Sequence, residues 1–280
     1  MDGDNTKNML LCSMGVMVGR INNFDEDILF NASKDLECDG FEFMIYSKMY
    51  EDLAKYTDRV KEKIKRTGVY FPVTHFDKEL ATFLSCAESG YRDKALKVFT
   101  DNCRFASEIG SFKTVLHLWG NMESDKYIDN NISLVSELYD ISESYGLLLM
   151  IENTPCSVSD PLTHFFELID REERACFVFD TRLSAFHGMH DRFLSSGLFE
   201  SGRIAHVHVS DFQGPVGEFS SLRQIPHPGQ GIAELDSLLP SIAKVYRGTI
   251  TLESPSMREK GTDTEMINAD LRFVREHTGM

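Results

Sequence analysis

The chain has 280 residues, 42% hydrophobic and 26% charged, the composition of a soluble globular protein able to bury a large core. Its 44 acidic residues outnumber 29 basic ones, giving a formal charge of −15 at pH 7, which opposes close approach of a polyanion. The densest basic stretch, Lys61, Lys63, Lys65 and Arg66, is interrupted by Glu62 and reads as a solvated helix face, so composition speaks against a nucleic-acid partner.

In chain order, the first apolar run is MLLCSMGVMV, residues 9–18. It is too short to span a bilayer, and the tail before it, MDGDNTKN, is not the basic start of a secretory signal. It predicts a buried first strand. Further runs rich in Val, Ile, Leu and Phe follow: GFEFMIY (40–46), GVYFPVTHF (68–76), FKTVLHLW (112–119), GLLLMIEN (146–153), ACFVFDT (175–181), RIAHVHVSDF (203–212) and GTITLESP (248–255). Longer amphipathic stretches separate them, and Gly68, Gly110, Gly146 and Gly248 stand where a helix would stop before the next run. No Pro/Gly/Ser-rich linker marks a boundary. Eight strand-helix units predict a single α/β domain over residues 1–280, a (β/α)8 TIM barrel, which needs about 250 residues; an open doubly wound sheet is the alternative. The six cysteines are scattered without a C-x-x-C pair, as suits free thiols in a reducing compartment, and predict a cytoplasmic protein.

Polar residues gather at the C-terminal ends of these runs: His75, His117, Glu152, Asp180, His208 and Glu253. In a barrel those ends converge on the mouth that carries the active site. A lone strand-end Asp or Glu is often a helix cap, and a lone His is often a hydrogen-bonded core residue. Independent capping does not explain such residues on four consecutive strands. Three carboxylates and one imidazole, from Glu152, Asp180, Glu253 and His208, suit Mn²⁺, Mg²⁺, Co²⁺ or Zn²⁺. In IAHVHVSDF, strand alternation puts His206 and His208 on one face, and at roughly 3.3 Å per residue His208 lies about 6–7 Å nearer the mouth.

The ordered set GLLLMIEN, FVFDT, HVHVSD, HPGQG and TLESP resembles the xylose-isomerase-like barrel superfamily, which contains sugar isomerases, ketose epimerases and type IV apurinic endonucleases. The resemblance spans essentially the whole chain. It implies one divalent metal ion held by Glu152, Asp180, His208 and Glu253; chain direction leaves His206 in a deeper layer, where it is expected to hydrogen-bond and keep the site in place. It also implies that Glu152 and Glu253 shuttle a proton on either face of a hydroxy-carbonyl substrate, through an enediolate. The expected partner is a small sugar, and dimers or tetramers are common in that superfamily.

The endonuclease branch needs three zinc ions and reads Asp-Thr-x-His after the sixth strand; here the stretch is Asp180-Thr181-Arg182-Leu183. The Asp-x-His of its later loop is also absent from SLRQIPHPGQG. A metal-dependent sugar isomerase or epimerase is therefore the first expectation. A phosphodiesterase of the endonuclease type and a non-catalytic metabolite-binding barrel are the alternatives. Leu183 also stands where many epimerases hold substrate with a His, for which Arg182 or His187 is a candidate replacement. His75, His117, Trp119, His187, Arg223 and His227 are the expected substrate contacts, with a core role equally open for Trp119. Glu42 points inward if Phe41 and Phe43 point outward, and the glycines of HPGQG offer backbone N–H groups to an anion or form a plain tight turn.

Overall fold

Each apolar run contributes one strand, but the strand occupies only part of the run. The computed structural model describes residues 8–121, 123–254, 257–258 and 261–280; most of the MDGDNTKN tail, and Pro255 at the end of the eighth run, lie outside the described residues. The strands are β1 Met9–Ser13, β2 Gly40–Met44, β3 Val73–His75, β4 Lys113–Leu116, β5 Leu148–Glu152, β6 Phe177–Asp180, β7 Ile204–Val209 and β8 Thr249–Leu252. Among the described residues they follow one another in hydrogen-bonded order and close into a barrel, with β1 pairing in parallel to β8. This is the α/β (β/α)8 barrel expected from the alternation of runs.

The helices are α1 Asp27–Ala32, α2 Leu53–Thr67, α3 Glu79–Ser85, α4 Ser89–Glu108, α5 Ile128–Ser133, α6 Val135–Ser144, α7 Pro161–Arg171, α8 Thr181–Phe186, α9 His190–Leu194, α10 Leu235–Val245 and α11 Thr264–Thr278. Among the described residues no helix is long and apolar enough to cross a membrane. The first run is longer than its strand because Ser13 turns the chain: its hydroxyl accepts the Gly15 N–H at 3.2 Å, and Met14–Val16 coil into a 3-10 helix that stays buried apart from Gly15.

By packing, the chain divides into two compact units, Glu42–Val178 and Phe179–Met280 with the residues up to Phe41. In the first, Phe43 packs against the rings of Phe71 and Phe105 at 5.2 and 5.0 Å, beneath α2 and α4. Strand alternation then turns the fully buried Glu42 to the opposite face of β2. Helix α2 buries Leu53, Tyr56, Thr57 and Val60, the i, i+3, i+4, i+7 stripe, and ends at Gly68 with φ of 74°.

In the second unit, Phe179 packs against Phe193 and Phe199 at 5.1 and 5.4 Å, which turns its neighbour Asp180 to the other face of β6. Gly248 does not end a helix by a left-handed cap as the sequence suggests. Helix α10 stops at Val245, and a Cβ at Gly248 would lie 2.6 Å from the Tyr246 hydroxyl. The missing side chain makes room for that phenol, which donates to the Ala205 carbonyl at 3.1 Å or the Thr249 carbonyl at 2.9 Å.

Candidate functional site

Within the unit that begins at Phe179, the ends of β6, β7 and β8 bring Asp180, His208 and Glu253 together, with one donor atom of each within 4.8 Å of the others. Asp180 and His208 are fully buried, and the Glu253 side chain is 19% exposed. Asp180 caps α8, its Oδ1 accepting the Leu183 N–H at 2.7 Å. Glu253 extends the β8 ladder by one residue, its N–H donating to Val209 O at 2.9 Å, and its Oε2 stands 3.6 Å from His208 Nδ1. Two carboxylates this close repel by roughly 3 kcal/mol at an effective dielectric of about 20. That repulsion favours a cation between them.

The two histidines of IAHVHVSDF do different things. His206 is level with Thr249 and His208 with Thr251 in the β7–β8 register. His206 is fully buried between two hydroxyls, Nδ1 2.6 Å from Thr249 Oγ1 and Nε2 2.9 Å from Thr251 Oγ1. Its ring meets that of His208 edge-on at 4.9 Å, so it braces the layer beneath.

Within Glu42–Val178, His75, His117 and Glu152 form a second group whose donor atoms lie within 4.8 Å of one another. The His75 Nδ1 donates to the Phe76 carbonyl at 2.8 Å, which fixes the proton there and leaves Nε2 facing Glu152 Oε2 at 3.7 Å. His117 Nε2 contacts the same oxygen. Glu152 and His75 are buried, while the His117 side chain keeps 19% exposure.

The loops beyond these strands are held by carboxylates that local sequence does not flag. Asp125 is buried and accepts the N–H groups of Ser157, Val158 and Ser159 at 2.7, 2.9 and 2.8 Å, with His164 Nε2 at 3.0 Å. Burial pushes the Asp125 carboxyl up, but His164 and those N–H groups outweigh it, and it lies well below the usual carboxylate range. Asp211 does the same for the PGQG turn: it accepts from Phe212, Gly229, Gly231 and Ala233 N–H at 2.8, 2.9, 2.9 and 3.1 Å. The N–H groups of Gly229 and Gly231 therefore bind this protein's own carboxylate, in a tight turn.

The remaining sequence candidates are dispersed. Trp119 is fully buried, donating from Nε1 to Thr154 O at 3.2 Å while Thr154 Oγ1 donates back to Trp119 O at 2.9 Å. It is a core residue that holds the loop two residues past Glu152. His227 donates from Nδ1 to Asp270 Oδ2 at 2.7 Å. Arg223 is exposed at the end of a 3-10 helix, and half-buried His187 follows α8 with its ring edge-on to Phe186. Leu183 is buried in the core and serves Asp180 only through its N–H. Arg182 is anchored to Ser210 Oγ at 3.3 Å and Leu222 O at 3.2 Å.

A family model for xylose isomerase-like TIM barrels matches residues 30–277. The chain belongs to that family. Among curated proteins, an uncharacterized protein of Methanocaldococcus jannaschii is 25% identical over 198 residues, 66% of this chain and 65% of that protein. The chain thus spans a little under two thirds of that relative's length. Among solved structures, the D-allulose 3-epimerase of Methylomonas sp. in complex with D-allulose superposes with a TM-score of 0.74 at 15% identity, covering 97% of both chains. The 3-keto-D-glucoside 4-epimerase of E. coli gives 0.68 at 18% identity, over 96% of this chain and 100% of that one. A D-tagatose 3-epimerase-like protein gives 0.69 at 21%, over 97% and 98%. At these identities the likeness to the solved structures is one of fold.

Proposed function

We propose that the chain acts as a single domain over residues 1–280 and is a divalent-metal-dependent isomerase or epimerase of a small sugar or related hydroxy-carbonyl compound. The observation that carries this reading is the convergence of Asp180, His208 and Glu253 within 4.8 Å. Glu152, at the end of β5, joins them as the fourth ligand in the proposal. Its strand is the neighbour of β6 in the barrel, and Glu152 is level with Val178, two residues before Asp180. Three carboxylates and one imidazole fit Mn²⁺, Mg²⁺, Co²⁺ or Zn²⁺ and do not resemble a copper or iron–sulfur ligand set.

Such an ion, when bound, polarises a carbonyl and stabilises the oxyanion that develops beside it. The protein's part is proton traffic and orientation. Glu152 and Glu253 remove the proton from the carbon next to the carbonyl and return one, on opposite faces for epimerisation. Asp180, fixed by the Leu183 N–H, and His208 would hold the ion without taking part in proton transfer. His75 and His117 contact substrate hydroxyls, and the 19% exposure of His117 gives that residue a route to solvent. Arg223 and His187 are left as peripheral substrate contacts, whereas Trp119 and His227 belong to the scaffold. The scattered free thiols support a cytoplasmic location, and the family resemblance supports a homo-oligomer.

The His75–His117–Glu152 group favours a second reading, in which it holds a further ion and the barrel is a phosphodiesterase. Metal content and a substrate panel separate the two. The proposal expects one Mn²⁺ or Co²⁺ per chain and interconversion of ketoses or aldose–ketose pairs detected by NMR. Three ions per chain with cleavage of abasic DNA would replace it with the phosphodiesterase; no divalent metal after reconstitution would leave a metabolite-binding barrel.

A further inference from the structure

Glu253 is the most exposed of the four proposed ligands and lies beyond the last residue of β8. Its backbone N–H is fixed by Val209 O at 2.9 Å. What fixes its other flank is Ser254, which is 1% exposed and whose hydroxyl donates to Asp270 Oδ2 on α11. The same carboxylate oxygen accepts His227 Nδ1 at 2.7 Å, from the loop between β7 and α10. Asp270 is itself 6% exposed, so its charge is met by these two donors in a largely dry setting, where charge-assisted hydrogen bonds are strong.

Resting on the metal-site reading above, we infer that Asp270 is a positioning residue for Glu253, acting through Ser254, with His227 bracing the carboxylate. The reason is geometric. Glu253 can hold a ligand position only if the chain at 253–254 cannot turn, and strand pairing ends at residue 253. The Ser254 hydroxyl is bonded to α11, so this anchor opposes rotation of the backbone directly after Glu253. His227, the histidine in the loop that the sequence offers as a substrate contact, is thereby turned toward α11. Residues that hold ligands in place change metal affinity about 10- to 100-fold when removed.

The test is Co²⁺ binding to the 280-residue chain, followed by titration and by the visible spectrum of the bound ion. Ser254→Ala and Asp270→Ala are expected to weaken Co²⁺ binding about 10- to 100-fold and to change the spectrum. The Ser254→Ala/Asp270→Ala pair should be no weaker than Asp270→Ala alone, Ser254→Thr should restore wild-type binding, and His227→Ala should give a smaller loss in the same direction. If Asp270→Ala is too unstable to titrate, Ser254→Ala against Ser254→Thr carries the same comparison. Unchanged affinity and spectrum in Ser254→Ala, while Glu253→Gln loses the ion, would overturn the role of Asp270 and leave the metal site standing. Retention of the ion by Glu253→Gln would overturn the metal-site reading itself.

Discussion

His208 Nδ1 lies 3.6 Å from Glu253 Oε2, across the β7–β8 register in which His208 is level with Thr251. Two residues earlier on the same face, His206 is closed between Thr249 and Thr251. The two histidines therefore differ in what truncation does to metal binding. His208→Ala should abolish tight Mn²⁺ or Co²⁺ binding. His206→Ala should lower unfolding stability by about 1–3 kcal/mol, because two buried hydroxyls lose a partner, and retain the ion. Metal titration and urea unfolding of both variants check this; loss of metal from His206→Ala alone would reverse the assignment.

The PGQG turn is predicted to depend on Asp211. Asp211→Ala leaves four N–H groups without their acceptor, a loss of about 2–4 kcal/mol if part of the turn rehydrates. Gly231→Ala attacks the same point sterically, since its Cβ would sit 2.3 Å from Phe212 O and 2.4 Å from Asp211 Oδ1. Amide hydrogen exchange at Gly229 and Gly231 should accelerate in both variants, ahead of any change in β1.

The number and order of strands were legible because apolar runs alternate with amphipathic segments over the whole chain, and the side of each strand followed from parity. The apolar runs overstate strand length, since residues such as Met14 and Val16 are buried in a 3-10 turn past β1. Parity also placed Asp180, His208 and Glu253 at strand ends. It had no means of finding Asp211, Asp125 or Asp270, most of whose partners lie 16 to 43 residues away, as with Ser254 and His227 for Asp270. The partners of Trp119 and His227, Thr154 and Asp270, are hidden for the same reason: sequence position gives a face, and the side chain's partner is fixed by tertiary packing.

Lys113, at the start of β4, gives a pH-dependent prediction. Burial lowers its ammonium from the ordinary lysine value to about 8, with Cys176 opposing the shift. Between about pH 8 and the unfolded value near 10.4, the unfolded chain binds more protons, so this residue makes stability rise with pH; below about 8 its charge is a standing cost. Lys113→Met should be more stable than wild type at pH 7, and the gap should shrink between pH 8 and 10. Urea unfolding at four pH values reads this directly, and a gap independent of pH would refute it.

The measurement that bears most directly on the proposed chemistry is deuterium wash-in from D2O at the carbon beside the carbonyl, using a ketose accepted by the Mn²⁺-loaded protein. Wild type should incorporate deuterium at that carbon, whereas Glu152→Gln and Glu253→Gln, each at a Mn²⁺ concentration that saturates the variant, should lose exchange by at least about 100-fold, the lower range for a general acid–base. Full exchange in either variant would contradict the assignment of Glu152 and Glu253 as the proton-transferring pair.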